Sequence, residues 1–187
     1  ACHVRCLQNL PISCNQPFMR SDEANADPQG PPVFGRKLSE HLQEADGGSR
    51  RVPLVVEKCV EAVELQGMDY EGIYRKSGGT SQLKIIQQLF EKGQQFNLND
   101  QDRFNDISAI TSVLKNYFRE LPEPLLTFEL HERFIECVEA KNQDQTQKRA
   151  TMRDLVHLLP KEHFDTLRFL IDHLYRVRLR SDDNRMS

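Results

Sequence analysis

The chain has 187 residues, 28% of them charged and 38% in the hydrophobic set, enough for one sizeable core with a short appendage and too apolar for wholesale disorder. A formal net charge of −3 argues against a general nucleic-acid binder and leaves room only for a local basic face. No apolar run approaches a membrane span, and the Ala1-Cys2-His3 start lacks the basic region and hydrophobic stretch of a secretory signal.

Three of the five cysteines, Cys2, Cys6 and Cys14, fall in the first fourteen residues, whereas Cys59 and Cys137 sit inside apolar helical patterns and read as small core residues. An odd count without disulfide-like spacing suits a reducing compartment, so the cytoplasm is the expected location. His3-x2-Cys6-x7-Cys14 offers an imidazole and two thiolates at a spacing that suits zinc, but a closed tetrahedral site takes four ligands. The pattern resembles the tail of the cysteine-rich zinc domain of diacylglycerol-binding proteins. That resemblance implies that residues 1–14 are a remnant of such a domain, with zinc bound only where the whole domain is present and membrane recruitment passing through it. Residues 15–32, rich in Pro, Asn, Asp and Gly with few apolar anchors, are expected to be a linker, and residues 33–187 the main domain.

Leu38 and Leu42 share one side of a helical turn or two before Asp46-Gly47-Gly48-Ser49 breaks the chain. From Pro53 to about Gln66, Val55, Val56, Cys59, Val60 and Val63 recur at intervals of three and four, which predicts an amphipathic helix with proline at its first turn and Gly67 beyond its end. A second helix is expected from about Ser81 to Lys92, capped by Thr80 or Ser81, with Leu83, Ile86, Leu89 and Phe90 inward. Gln94 to Arg103 reads as a loop, with a short extended piece at Phe96 to Leu98 as an alternative. Asp106 is placed to cap a helix over residues 107–119, whose buried stripe is Ile110, Val113, Leu114, Tyr117 and Phe118. Lys115 and Arg119, four apart, lie together on the flank of that stripe, as a solvated helix edge or as a seat for an anion. Leu121-Pro122-Glu123-Pro124-Leu125 then ends the helix in a stiff corner.

Thr127 or Phe128 to about Glu139 is expected to be helical, with Leu130, Phe134, Cys137 and Val138 on one side. Another helix is expected from about Thr146 to Leu159, and after Pro160 a long one to about Val177, driven by Phe164, Leu167, Leu170, Ile171 and Leu174. His131, His157, His163 and His173 share no metal-like spacing with carboxylates and are expected at surface or boundary positions. Helical patterns dominate and no strand alternation is convincing, so the expected fold class is all-α, a single helical-bundle domain.

Between the first two long helices stands Gly72-Ile73-Tyr74-Arg75-Lys76-Ser77-Gly78-Gly79. Glycines on both sides place Arg75 on a compact loop, and a guanidinium offers five donors in a fixed fork suited to phosphate or carboxylate oxygens. This segment, followed some forty residues later by Leu114-Lys115-Asn116-Tyr117-Phe118-Arg119-Glu120-Leu121-Pro122-Glu123-Pro124-Leu125, resembles the GTPase-activating domain of the Rho family of small GTPases. Phe34-Gly35 and Leu38 match the short motif that precedes the first helices in that family. The resemblance implies an all-helical bundle with Arg75 as an arginine finger acting in trans beside a shallow partner-binding groove. It further implies that Lys115 and Arg119 support the loop and contact the partner, Lys115 more directly in function and Arg119 in orienting the loop or bonding to its backbone. Pro124 would shape the groove. The implied partner is a GTPase of the Rho, Rac or Cdc42 type, which would bring its own GTP and magnesium; the chain has no phosphate-cradling Gly-x-x-x-x-Gly-Lys-Ser/Thr loop and is not expected to bind nucleotide itself. Two alternatives are a catalytically weak or silent module that binds a GTPase through the same groove and, through the cysteine-rich tail, lipid recognition. Asn184-x-Met186 resembles the opening of a later family motif, in which a helix carrying an asparagine follows, so the family's C-terminal helix or helices are expected beyond residue 187.

Overall fold

The computed structural model describes residues 31–44, 50–140 and 144–186. His3, Cys6, Cys14, the linker up to residue 30 and the Asp46–Ser49 break lie outside these. Eight helices occur among the described residues and no strand: α1 Leu38–Glu44, α2 Leu54–Gln66, α3 Thr80–Glu91, α4 Ile107–Glu120, α5 Phe128–Glu139, α6 Gln145–His157, α7 Lys161–Arg178 and α8 Ser181–Asn184. The all-helical bundle expected from the periodicities is present, and Phe96 to Leu98 make no strand pairing, the chain turning at Leu98 and Asn99.

The bundle is built around α4. The sequence suggests one apolar stripe on this helix, but every residue from Ile107 to Leu114 is buried. Ser108 is small, and the hydroxyls of the other two polar residues find partners: Thr111 Oγ1 donates to the Ser108 carbonyl at 3.0 Å, and Ser112 Oγ accepts from the Gly78 amide at 3.2 Å. α2 and α3 pack against α4, with Val56, Cys59, Val63, Ile86, Ile110 and Val113 fully buried between them. Asp106 caps α4 as expected, its Oδ1 accepting from the Ala109 amide at 3.1 Å. Its Oδ2 accepts from the Gly79 amide at 2.7 Å, and Gly79, not Thr80 or Ser81, is the cap of α3. The N-cap residue of α4 thus anchors the start of α3, which has no side-chain cap of its own.

α5 and α6 pack on each other around a second, smaller core of Leu130, Phe134, Cys137, Leu155 and Leu159. Val138, expected inward, is exposed. α7 spans both cores with a different face from the one its aliphatic residues suggest: His163, Thr166, His173 and Val177 are buried, while Ile171 and Leu174 are exposed. The expectation that all four histidines lie at the surface or a boundary fails for two of them, because His163 and His173 are buried with a hydrogen-bond partner each; His131 and His157 are exposed.

Candidate functional site

The segment between α2 and α3 is a stack of tight turns. Tyr70 N–H donates to the Gly67 carbonyl at 3.1 Å, Ile73 N–H to Tyr70 at 3.0 Å, and the amides of Arg75 and Lys76 both to Gly72 at 2.9 Å. Gly72 supplies a left-handed φ of 74°, and Ile73, fully buried, plugs the loop into the core. The second left-handed residue is not one of the framing glycines but Tyr74, with φ 66°, a conformation that costs a bulky side chain roughly 1–2 kcal/mol.

Two contacts hold Tyr74 there. Lys115 Nζ donates to its carbonyl at 2.8 Å, and its hydroxyl lies 2.6 Å from His173 Nε2. The next residue, Arg75, is exposed, and its guanidinium makes no hydrogen bond or ion pair with any described residue. A fixed backbone therefore presents a free guanidinium.

Behind Tyr74, His173 is fully buried with Nδ1 2.8 Å from Glu64 Oε1, which also accepts from Arg176 Nε at 2.9 Å. A carboxylate only accepts, so Nδ1 carries the proton and the neutral ring accepts the Tyr74 hydroxyl at Nε2. Burial holds His173 below its ordinary 6.5, with the Glu64 hydrogen bond offsetting part of the effect. Burial would raise Glu64, but the hydrogen bonds and charges of His173 and Arg176 outweigh it and bring the carboxyl below 4.5. Burial likewise pushes the Tyr74 hydroxyl up, so it remains a donor. With both folded pKa values depressed, the stability these groups contribute is full above their unfolded values and is lost as pH falls through their folded values. Acidification from about pH 7 to about pH 5 thus lowers the thermal midpoint, and His173→Gln reduces that dependence. A wild-type midpoint no more sensitive to pH than that of His173→Gln contradicts this assignment.

Tyr74 also forms one wall of an apolar groove between α4 and α7, floored by Leu114, Phe118, Leu125, Leu170 and Leu174 and edged by Lys115 and Arg119. Leu170 and Leu174, which do not enter the main core, are accounted for here. Burial lowers the Lys115 pKa, and the neighbouring Arg119 charge lowers it further. Arg119 is exposed and donates to Asn116 Oδ1 at 3.2 Å, so the bond to the loop backbone expected of it is made by Lys115 instead. Pro124 is half-buried and accepts from the Thr127 amide at 2.8 Å, closing the turn that sets Leu125 into the groove, where the Leu125 carbonyl pairs with His163 Nδ1 at 3.0 Å. Lys115→Met keeps the aliphatic stem but removes the charged donor from the Tyr74 carbonyl. It is expected to loosen the loop, read as roughly tenfold faster amide hydrogen exchange at Arg75 and Lys76, with exchange unchanged from wild type as the contrary result.

The same loop is tied down from the far end of the chain. Asn184 is fully buried; its Nδ2 donates to the Met68 and Val177 carbonyls at 2.9 and 2.8 Å, its Oδ1 accepts from Met186, and its own carbonyl accepts from Gly72 at 2.8 Å. Sequence reasoning missed Glu64, His173, Arg176 and Asn184 as parts of this site. Only Asn184, through the Asn184-x-Met186 pattern, carried any signal. Among the described residues no cluster of three or more His, Cys, Asp or Glu side chains is arranged to hold a metal, and no helix is long and apolar enough to cross a membrane.

An all-helical domain presenting an arginine on a braced loop beside an apolar, basic-edged groove defines a protein-docking class with a chemical group at its rim. Residues 53–187 match the RhoGAP domain model. Over 187 residues the chain is 36% identical to unconventional myosin-IXAa of Danio rerio, covering all of this chain and 7% of that protein. It is 42% identical over 155 residues to human Rho GTPase-activating protein 27, covering 83% and 17% of the two chains. The crystal structure of human Rho GTPase activating protein 15 superposes with a TM-score of 0.77 at 34% identity, over 83% of this chain and 71% of that one. The chain belongs to the RhoGAP domain family. It spans only 7% and 17% of the two protein relatives named.

Proposed function

We propose that the chain accelerates GTP hydrolysis by a GTPase of the Rho, Rac or Cdc42 type, with Arg75 reaching in trans to the phosphates. The observation that carries this is the exposed, unpartnered guanidinium on a loop whose backbone is fixed on both sides, at the rim of the groove. Phosphoryl transfer develops charge on the transferred oxygens, and a guanidinium placed beforehand stabilises that charge without reorganising at the moment of reaction. The apolar floor suits a partner's hydrophobic switch surface, and Lys115 and Arg119 favour an acidic rim on it. Lys115 also positions the loop, Arg119 contacts the partner from the groove edge, and Pro124 shapes the corner.

A RhoGAP domain needs no cofactor of its own; GTP and magnesium arrive with the GTPase, and zinc only with a complete preceding domain. The site of action in this reading is the cytoplasm, with recruitment to membranes through upstream sequence. Single-turnover hydrolysis by Rho-, Rac- and Cdc42-type GTPases, with and without the chain, is the test. Acceleration of at least one partner is expected. Binding without acceleration in any of them makes the domain an interaction module and overturns the activating role.

A further inference from the structure

Arg75 can neutralise a phosphate only if its backbone points the right way, and the backbone residue before it is the one held in an unfavourable conformation. Tyr74 at φ 66° is anchored at two points that face different directions, its carbonyl on Lys115 and its hydroxyl on His173. One anchor fixes the peptide plane. The other fixes the ring, and together they block the rotation that would let Tyr74 relax to negative φ and carry Arg75 with it.

The Tyr74 hydroxyl is not needed to fasten the helices. Glu64 on α2 already binds both His173 Nδ1 and Arg176 Nε on α7, so the two helices are joined before Tyr74 is added. What the Tyr74 hydroxyl adds is a connection from that junction to the loop. Glu64 holds the His173 tautomer, the tautomer leaves Nε2 as an acceptor, and the acceptor takes the hydroxyl of the residue next to Arg75.

We propose that Tyr74, His173 and Glu64 form a positioning chain that sets the direction of Arg75, and so governs the rate of hydrolysis in the complex and not the affinity for the GTPase. The proposal rests on the reading of Arg75 as the reacting arginine. None of the three residues touches the phosphates; each acts through the next.

The test is single-turnover GTP hydrolysis at increasing concentrations of the full chain, giving a maximal rate and a half-saturating concentration for each variant. Tyr74→Phe keeps the ring on the groove wall and removes only the hydroxyl; it is expected to lower the maximal rate about fivefold and to leave the half-saturating concentration within about twofold. Glu64→Leu, which frees the His173 tautomer, is expected to lower the rate by a similar factor, and Glu64→Gln, whose amide oxygen still accepts from Nδ1, to recover most of it. In an Arg75→Ala background Tyr74→Phe adds no further loss, because the chain has nothing left to position. If Arg75→Ala alone leaves the rate intact, the role of Arg75 is wrong. If Arg75→Ala lowers the rate but Tyr74→Phe does not, the arginine reading stands and the positioning chain is overturned. It is also overturned if Tyr74→Phe raises the half-saturating concentration in step with the loss of rate, or lowers the rate equally in the Arg75→Ala background. Should Tyr74→Phe unfold, the Glu64→Leu and Glu64→Gln pair decides the matter by the same two readouts.

Discussion

Arg75→Ala is expected to lower the maximal single-turnover rate of the proposed GTPase partner on the order of 1000-fold or more, while the affinity for the GTP-bound partner changes by less than about tenfold. The asymmetry follows from where the side chain sits. Arg75 is exposed and free of hydrogen bonds and ion pairs with the described residues, so removing it breaks no fold contact; the groove floor of Leu114, Phe118 and Leu125 remains to bind. On the proposed role of Arg75, only the charge on the transferred phosphoryl oxygens is left unattended. Arg75→Lys does not restore the rate, because an ammonium lacks the fork that reaches two oxygens at once. Rate and affinity falling together would place Arg75 in the docking surface instead.

Gly78→Ala is expected to destabilise the domain by on the order of 3 kcal/mol, a fall of about 10 °C in thermal midpoint, and to reduce stimulation with it. A Cβ at Gly78 would overlap the backbone nitrogen and Cα of Ala109 and the carbonyl carbon of Ser108. These are main-chain atoms at the start of α4, the most buried helix, and neither they nor the loop exit can shift without losing the Gly78–Ser112 hydrogen bond. Gly79→Ala is the contrast. Its φ is −62° and the nearest atom to an added Cβ is an Asp106 carboxylate oxygen at 3.4 Å, so its midpoint stays within about 2 °C of wild type. Equal effects at the two glycines would refute the close-approach explanation.

The helices were legible where local chemistry decides them. Pro53 and Gly67 bracket α2, Asp106 caps α4, and Thr127 caps α5. The arginine loop was legible too, because glycine spacing constrains a backbone within a few residues. What escaped depends on partners far along the chain. Tyr74 and His173 are 99 residues apart and Glu64 and His173 109, and nothing near a histidine in sequence reveals that a distant carboxylate will hold its tautomer. The phase of α7 escaped for the same reason. Periodicity marks Leu170, Ile171 and Leu174 as inward, but burying His173 with two hydrogen bonds and Val177 beside α2 sets the helix rotation, and Leu170 and Leu174 turn to the groove. On α4 the burial of Thr111 and Ser112 depends on hydroxyl partners that the residue types alone do not name.

The central claim is that this domain binds the transition state of its partner's reaction better than the ground state, and does so through Arg75. The most direct measurement is the affinity of the chain for a Rho-type GTPase loaded with GDP and aluminium fluoride, a mimic of the transferring phosphoryl group, against the same GTPase loaded with a non-hydrolysable GTP analogue. Wild-type chain should bind the mimic at least about tenfold more tightly, and Arg75→Ala should lose that preference while keeping its affinity for the GTP-analogue form. Equal affinity of the wild-type chain for both forms, or a preference that survives Arg75→Ala, would contradict it.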